Sequence, residues 1–250
     1  MGPVVIKVGV LGANGRMGRE VCAAVEATDD LELTEEVDVD LSSLEALVEN
    51  GVQVAVDFTN AEGAAENIPW CMKNGIHIVV GASGIPASVI AEIEDLAPKC
   101  EGNVLIAPNF AIGAVLAMKF AEMAAAWMPD AEIIELHHSG KMDSPSGTAL
   151  QTADVILKGR RQAPADRPGT LKENIPGARG SKREDVHIHS VRLPGLVAHQ
   201  EVLFGGPGQL LTIRHDSIDR KSFMPGVIVG IREISKHPGL TVGLEHYLGL

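Results

Sequence analysis

The chain has 250 residues and a formal net charge of −12 at pH 7, and 45% of its residues are hydrophobic. This length allows one large domain or two small ones, and the apolar fraction is normal for a protein with a packed core. The acidic balance argues against a nucleic-acid partner, which would need a basic face to neutralise phosphates. An anionic ligand must therefore be attracted by local positive charge.

Neither a membrane span nor a secretory signal is predicted. The longest apolar tract, residues 113–128, is interrupted by Lys119 and Glu122 and is too short to cross a bilayer. The first residues lack the charged and then apolar pattern of a secretory leader. The three cysteines are widely separated and have no metal-ligand spacing, as in reduced intracellular proteins. We therefore expect a cytoplasmic protein without membrane contact.

The first half of the chain alternates short apolar runs with helical patterns. Such alternation predicts an α/β fold with a Rossmann-like, doubly wound parallel sheet. The predicted strands are 4–11, 31–38, 52–57, 76–80 and 104–107, and the predicted helices are 15–27, 41–50, 62–74 and 86–99.

After Pro108 the pattern changes to longer helices followed by consecutive strands. Strands joined by short Gly and Pro turns predict antiparallel pairing, and hence a second α+β domain, for which we expect a mixed sheet. Residues 159–185, rich in Gly, Pro and charge, predict a long mobile loop. The predicted helices are 111–128, 146–158 and 222–236, and the predicted strands are 132–138, 186–193, 196–204 and 210–215. We assign 1–108 and 218–250 to the first domain, onto which the C-terminal segment should pack, and 109–217 to the second.

A glycine-rich loop joins the first predicted strand to the first predicted helix. Gly12, Gly15 and Gly18 would allow a tight turn, a close approach of backbone to a pyrophosphate, and close packing of helix on strand. The start of the helix would offer N–H groups to the phosphates. The spacing is Gly-x-x-Gly-x-x-Gly and not the commoner Gly-x-Gly-x-x-Gly, so an ordinary glycine-rich turn is the alternative. The context indicates a dinucleotide site.

An acidic residue ends the second predicted strand, where a carboxylate can bind the ribose hydroxyls of an adenosine. This residue is Asp38, and Val39 and Asp40 follow it, so no basic side chain is placed there to bind a 2′-phosphate. The pattern favours NADH, although Arg16 in the glycine loop could partly offset this preference. A solvated acid at a strand end is the alternative.

Residues 135–149 place two adjacent imidazoles, an ammonium group and a Ser-Gly-Thr helix start in one segment. His137 and His138 end a strand and should point to opposite faces, so one can face a ligand while the other anchors the loop. An imidazole can donate a proton near neutral pH, and Lys141 can hold negative charge. The helix start at Ser146 can bind a carboxylate. A solvated basic loop is the alternative, but the combination with a nucleotide loop indicates a reductase of a small dicarboxylate.

Several other groups are weaker candidates. His187 and His189 alternate along one strand and could bind a metal, but no carboxylate or cysteine partner is evident, so a surface strand face is preferred. The segments 81–84 and 107–110 follow the fourth and fifth strands at their carboxyl ends, where ligands bind in open α/β sheets. The remaining candidates, as interface or structural groups, are Arg192, His199, Arg214 and His215.

These motifs resemble the 4-hydroxy-tetrahydrodipicolinate reductase (dihydrodipicolinate reductase) family of the bacterial lysine and diaminopimelate pathway. The resemblance runs over nearly the whole chain, and the block 135–149 is its most specific part. Residues 238–250 are similar to actinobacterial members. Two departures are visible: Gly81-Ala-Ser-Gly84 replaces the usual Gly-Thr-Thr-Gly, and Ser144 replaces an alanine. The other matching segments are 12–18, 57–59, 107–110 and 197–199.

The resemblance implies an NAD(P)H-dependent reduction of 4-hydroxy-tetrahydrodipicolinate, via dihydrodipicolinate, to tetrahydrodipicolinate. It implies a homotetramer that forms through the second, substrate-binding domain, and no metal. His137 would donate the proton, and Lys141 would be a second donor and a substrate contact. The implied substrate contacts are His138, Ser146, Gly147 and Thr148, and the implied cofactor contacts are Gly12, Ala13, Asn14, Gly15, Arg16, Met17, Asp38, Gly81, Ala82, Ser83, Ala107, Pro108, Asn109 and Phe110.

Two other functions stay open from the residues alone. A dehydrogenase of an amino or hydroxy acid could use the same scaffold, but it would need a different proton donor. A nucleotide sensor that keeps only the first domain's function would bind NADH without turnover, and it would leave the cationic loop without a role.

Overall fold

The computed structural model describes residues 5–82, 84–164 and 172–250. The chain divides into two compact units. Unit 1 comprises Met1–Ile112 and Arg220–Leu250, and unit 2 comprises Gly113–Asp219. None of the helices described is long and apolar enough to cross a membrane.

The elements follow one another along the chain much as the alternating pattern predicts. The strands are β1 Ile6–Leu11, β2 Leu31–Val37, β3 Val54–Asp57, β4 His77–Val80, β5 Val104–Ile106, β6 Asp130–His137, β7 Ser181–Arg183, β8 Val186–Arg192, β9 Ala198–Gly206, β10 Gln209–Ser217 and β11 Leu240–Val242. The α-helices are α1 Arg16–Glu26, α2 Leu44–Glu49, α3 Ala61–Lys73, α4 Ala87–Leu96, α5 Ile112–Ala125, α6 Gly147–Gly159 and α7 Met224–Glu233.

Unit 1 contains a six-stranded sheet in the order β11-β5-β4-β3-β1-β2. Every pairing in it is parallel. All residues of β3 and β5 are buried, as expected when helices cover both faces of a parallel sheet. The predicted doubly wound α/β fold is therefore confirmed. The C-terminal segment packs onto this unit by adding β11 beside β5.

A buried asparagine fastens the C-terminal segment to the sheet. Asn103 donates its side-chain N–H to the carbonyl of Ile234 and accepts from the N–H of Gly239, both at 3.0 Å. We expect Asn103→Leu to lower the free energy of unfolding by about 2–4 kcal/mol, because the buried Ile234 carbonyl and the partly buried Gly239 N–H each lose a partner. Urea unfolding would measure the change. Asn74→Ala, which removes an exposed bond to the Trp70 carbonyl, is the matched control and should cost about 1 kcal/mol or less.

Unit 2 contains a five-stranded sheet in the order β10-β9-β6-β8-β7. The pairing of β6 with β8 is parallel and the other pairings are antiparallel, so the expected mixed sheet is confirmed. The predicted antiparallel pairing of consecutive strands holds for β9 with β10 but is wrong for β8 with β9, because β6 lies between them. Residues 193–197 can span this gap, since a chain reaches about 3.3 Å per residue and neighbouring strands lie about 4.8 Å apart.

The predicted mobile loop 159–185 is wrong in part. Residues 181–183 form β7, which pairs with β8 at the edge of the sheet. Arg183 also binds Asp154 of α6 through two nitrogens, at 2.8 and 3.3 Å. A Ser-Lys-Arg strand has no apolar alternation to reveal it, and charged residues are common on edge strands. Residues 165–171 lie outside the described part of the chain.

Candidate active site

Three glycines shape the loop after β1 in unit 1, and each position requires a glycine for a different structural reason. Gly12 has a φ of +78°, and its N–H donates to the carbonyl of Val37 at 2.9 Å. Gly15 is the N-cap of α1 and supplies no side-chain cap, which leaves the first amides of the helix to a ligand. Gly18 lies so close to the loop that a Cβ there would be 2.1 Å from the Gly12 oxygen. The loop is thus a backbone cradle of the kind that binds a pyrophosphate.

Asp38 lies directly beside this cradle. Its carboxylate accepts the N–H of Asn14 at 2.9 Å and the N–H of Val39 at 2.8 Å. A carboxylate can accept about four hydrogen bonds, so acceptor positions remain for a ribose diol. The cradle and this acid together fit a dinucleotide.

A buried carboxyl group organises the end of β3. Asp57 is fully buried and accepts hydrogen bonds from the Thr59 N–H at 2.8 Å, the Thr59 hydroxyl at 2.6 Å and the Asn67 amide at 2.9 Å. Burial raises the pKa of this carboxyl, and the three bonds oppose the rise. Sequence reasoning noted 57–59 only as a matching segment and gave Asp57 no role.

The end of β3 also contacts the other predicted cofactor segments. The N–H of Gly81 donates to the carbonyl of Asp57 at 2.8 Å. The Phe58 ring lies against Gly81, where a Cβ would be 2.2 Å from it, and its centroid is 5.7 Å from that of Phe110. A Cβ on Gly12 would be 3.1 Å from the Phe58 carbonyl oxygen. The loops after β1, β3, β4 and β5 therefore form one contiguous edge.

The other predicted cofactor residues that the structure describes also lie on this edge. Ala82, Ala107 and Phe110 are buried, and Pro108 is exposed. The Asn109 side chain accepts the N–H of Ala111 at 2.8 Å. Ala13 is buried beside the exposed Asn14 and Arg16 and the partly exposed Met17. Ser83 lies outside the described residues.

In unit 2, His137 is the last residue of β6, and one nitrogen of its ring is bound by a neighbouring carboxylate. Its Nδ1 forms a short hydrogen bond with Oε2 of Glu135, two residues earlier on the same face of the strand. Arg192 of β8 donates Nη1 to Oε2 at 2.9 Å and Nη2 to Oε1 at 2.8 Å. The Glu135 side chain is fully buried and the His137 side chain is 14% exposed.

The Glu135 carboxyl stays ionised in this position. Burial alone would raise its pKa, but hydrogen bonds from His137, Arg192 and Ser190 hold the pKa at about 2. Its ordinary value is 4.5. Because the folded pKa is depressed, this group stabilises the fold above about pH 4.5, and the contribution is lost as pH falls toward 2.

The loop after β6 carries the predicted cation. Lys141 donates Nζ to the Asp143 carboxylate at 2.7 Å, and its N–H donates to the His138 carbonyl at 3.1 Å. The hydrogen bond from Lys141 lowers the pKa of the Asp143 carboxyl. Arg192 Nη2 also donates to the backbone carbonyl of Asp143 at 2.8 Å. The guanidinium that binds Glu135 therefore also holds this loop.

The loop ends at the start of α6. The buried Ser146 hydroxyl is the N-cap and accepts the N–H of Ala149 at 3.2 Å. Gly147 is exposed, and a Cβ there would meet nothing within 4 Å, so the helix start is open to a ligand. The Thr148 carbonyl accepts the Thr152 hydroxyl. His138 is exposed, with Nδ1 3.4 Å from the position of a Cβ on Gly140.

Sequence reasoning missed the roles of Glu135 and Arg192. Arg192 was predicted only as an interface or structural group, and Glu135 only as part of a matching block. The alternation of a strand offers one signal, because Glu135 and His137 must share a face. The register then places Ser190 opposite Glu135 and Arg192 opposite His137.

Three further histidines of unit 2 have structural partners. His187 is buried and its Nδ1 lies 2.6 Å from the carbonyl of Arg179, so its expected place on a surface face is wrong. His189 Nε2 lies 2.9 Å from Glu132, a carboxylate partner that the sequence did not reveal. His199 binds Asp216 at 2.7 Å. Within the described ranges, no group of three or more His, Cys, Asp or Glu side chains could hold a metal ion.

Comparison with known proteins assigns the family. The model described as "Dihydrodipicolinate reductase, N-terminus" matches residues 6–110, and "Dihydrodipicolinate reductase, C-terminus" matches residues 113–248. The chain belongs to the dihydrodipicolinate reductase family. It is therefore an oxidoreductase, from a family of NAD(P)H-dependent reductases with a Rossmann-type fold, and the resemblance stated above is confirmed.

Individual relatives match over almost their whole length. The 4-hydroxy-tetrahydrodipicolinate reductase of Nocardia farcinica is 54% identical, and that of Corynebacterium aurimucosum is 52% identical. In both cases the match covers 98% of this chain and 99% of the relative. A solved structure, the dipicolinate-bound dihydrodipicolinate reductase of Paenisporosarcina sp. TG-14, is 40% identical with a TM-score of 0.88, and the match covers 97% of this chain and 99% of that one.

Proposed function

We propose that this chain reduces 4-hydroxy-tetrahydrodipicolinate, via dihydrodipicolinate, to tetrahydrodipicolinate in lysine and diaminopimelate biosynthesis. NADH or NADPH is the reductant, and His137 supplies the proton. The observation that carries this proposal is the segment of unit 2 that places His137, His138 and Lys141 before the start of α6, in a chain whose unit 1 holds a glycine-loop cradle. The printed names of the relatives and the dipicolinate bound to the Paenisporosarcina protein support the same substrate class.

Substrate binding needs local positive charge, because the chain is acidic and the substrate is a dicarboxylate. Lys141 supplies an ammonium group. The exposed start of α6 at Gly147 is the positive end of a helix, where a carboxylate binds well, and Thr148 follows it. Ser146 fixes that helix start as its cap, and His138 lies exposed on the same loop. We assign these residues to the two substrate carboxylates.

Proton delivery falls to His137. The substrate first loses water to give dihydrodipicolinate, and the reduced nicotinamide, when bound, would supply a hydride to the conjugated ring of that compound. His137 gives a proton to the adjacent ring carbon, so one hydride and one proton are added and the ring loses one double bond. A positioned imidazole acts best near its own titration range, which is close to neutral pH for histidine in general. Lys141 is the second donor.

The dinucleotide would be held entirely by unit 1 residues. The amides of residues 13–17 fit the pyrophosphate, and Asp38 fits the ribose diol. The segments 81–82 and 107–110 lie at the same carboxyl edge, where the nicotinamide half binds in open α/β sheets. Because Asp38 is followed by Val39 and Asp40, we infer a preference for NADH.

We also propose a cytoplasmic homotetramer that assembles through unit 2. Among the exposed apolar side chains of this unit, three lie on β10 or directly after it: Leu210, Leu211 and Ile218, at 68%, 40% and 80% of their surface. Apolar side chains left exposed near one sheet edge support a subunit contact there.

The first test is a coupled absorbance assay. Pyruvate and aspartate semialdehyde would be condensed by the preceding synthase, and oxidation of NADH and of NADPH would be followed separately. We expect rapid synthase-dependent oxidation, faster with NADH. Asp38→Asn should lower kcat/KM for NADH about 10–100-fold, because a charged hydrogen bond contributes about 1.5–3 kcal/mol, and it should spare NADPH.

Asp40→Asn is the matched control, since this neighbouring carboxylate is exposed, and it should leave the ratio of the two rates unchanged. Folded protein that binds NADH but oxidises neither cofactor would replace the proposal with the sensor function. Oxidation driven by an amino or hydroxy acid, and not by the synthase product, would indicate another dehydrogenase.

A further inference from the structure

The most enclosed charge cluster in unit 2 is centred on Glu135. This carboxylate is fully buried, and both of its oxygens are engaged by neighbours. Oε2 accepts from His137 Nδ1 and from Arg192 Nη1, and Oε1 accepts from Arg192 Nη2. A buried ionised carboxylate is tolerated only with such complete pairing.

The protonation of this carboxylate determines which histidine nitrogen carries hydrogen. An ionised carboxylate can only accept hydrogen bonds, so His137 must donate from Nδ1. In neutral His137 the proton is therefore on Nδ1, and Nε2 is bare. The second proton of the imidazolium is the one on Nε2, and it is the proton that can be transferred. Depression of the Glu135 pKa to about 2 keeps this arrangement over the whole physiological range.

Arg192 extends the arrangement to the cationic loop. Its Nη2 reaches both Glu135 Oε1 and the carbonyl of Asp143, each at 2.8 Å. The Asp143 carboxylate in turn binds Lys141 at 2.7 Å. One planar guanidinium thus fixes the strand that carries His137 and the loop that carries Lys141. A lysine could not do both, because it lacks the rigid fork.

This face of β9 and the buried residues of α6 add no charged group to the cluster. On β9 the residues beside His137 on this face are Ala198 and Gln200, which do not titrate, and the buried residues of α6 are Ala149, Thr152, Ala153 and Ile156. His199 pairs with Leu136, so it belongs to the opposite face, where it binds Asp216. The charged groups linked to His137 by hydrogen bonds are Glu135, then Arg192 and, through the loop, Asp143 and Lys141.

We propose that Glu135 and Arg192 are positioning residues: Glu135 holds His137 as the Nδ1–H tautomer, so that Nε2 delivers the proton, and Arg192 fixes this carboxylate and the Lys141 loop together. The inference rests on the proposed role of His137 as proton donor. It goes beyond that role, because it assigns the reacting nitrogen and the residues that select it.

The activity test uses Glu135→Gln. The amide NH2 group cannot accept, so it opposes one of the two donors, either His137 Nδ1 or Arg192. We expect kcat to fall at least about tenfold with little change in KM, as when a carboxylate that orients a catalytic imidazole is lost. The high-pH limb of the kcat profile should also move to lower pH, because a neutral amide no longer stabilises the imidazolium. Arg192→Lys should instead raise KM as well as lower kcat, since it releases the loop.

Asp154→Asn is the matched control. It breaks the two-nitrogen contact with Arg183 in the same unit, outside the cluster, and should change neither kcat nor the pH profile. Equal losses in Glu135→Gln and in this control would assign Glu135 a general structural role. An unchanged pH profile with full turnover in Glu135→Gln would overturn the proposal.

A second test determines the tautomer of His137 directly and does not depend on enzyme activity. Histidine labelled with 13C and 15N in the ring would be introduced into the unaltered protein, and the ring chemical shifts would be recorded above neutral pH. The signal that His137→Gln removes should be of the Nδ1–H form, and an Nε2–H signal would overturn the proposal. If His137→Gln keeps its activity, the proposed proton donor fails, while this spectrum still decides which His137 nitrogen carries the proton beside Glu135.

Discussion

His137→Gln should lower kcat by about 10²–10⁴-fold, the range typical of a positioned general acid. Glutamine approximates the size of the ring but cannot give up a proton. Binding should change much less than turnover, because we assign the substrate carboxylates to Lys141 and the start of α6. Steady-state rates with the synthase-generated substrate, together with the KM, would separate these two effects.

His189→Gln is the control for loss of a histidine from the same sheet. His189 lies on β8 and bonds to Glu132, away from the Glu135 cluster, so this variant should keep nearly full activity. If His137→Gln turns over at the rate of the unaltered protein, then His137 takes no part in the proton transfer.

Gly18→Ala should weaken NADH binding by about tenfold or more and lower the free energy of unfolding by about 1–3 kcal/mol. A Cβ at this position would lie 2.1 Å from the Gly12 oxygen and 2.8 Å from the Ala13 Cα, both of which are backbone atoms. Backbone cannot move aside as a flexible side chain can, so α1 must shift away from the loop. Fluorescence titration with NADH and urea unfolding would measure the two effects.

Gly205→Ala provides the comparison. A Cβ on Gly205 meets nothing within 4 Å, and its φ is not in the left-handed region, so this change should leave both affinity and stability nearly unaltered. Stability that falls without any loss of NADH affinity would show that the cradle geometry is not what binds the dinucleotide. Full retention of both would show that the close packing is not required.

The fold of unit 1 was predictable because its signals are local. Buried parallel strands are continuous apolar runs, as in Val54–Val56, and helices with glycine or polar starts separate them. The short strand Leu240–Val242 was not predicted. Three residues are too few to show a period, and this strand exists because β5 offers it an edge to pair with.

The sheet of unit 2 was less predictable, because the choice of partner strand is not a local property. The turn at residues 207–208 brings β9 and β10 together, as a hairpin should. The segment 193–197 has the same turn-like composition, yet it carries the chain past the end of β6. The two turns differ because β6 inserts between β8 and β9, where it pairs in parallel with β8 and antiparallel with β9.

The candidate site also has a part that is predictable from local sequence and a part that depends on strand pairing. The glycine loop and the segment from His137 to Thr148 carry their chemistry in consecutive residues, so the sequence predicts them. Glu135 and Arg192 are 57 positions apart, and they meet only because the β6–β8 register places Arg192 opposite His137. A pair of this kind becomes visible once the strand pairing is known.

Unit 1 is formed by two separate stretches of the chain, and unit 2 lies between them in the sequence. Strand β11 pairs with β5, but it is synthesised only after all of unit 2. Until then, one edge of β5 lacks this partner strand. Unpaired edges invite intermolecular pairing. Unit 2 is continuous in sequence and can complete its own sheet before the C-terminal segment is made. The sheet of unit 2 can therefore be complete before the sheet of unit 1, although five of the six strands of unit 1 precede unit 2 in the chain.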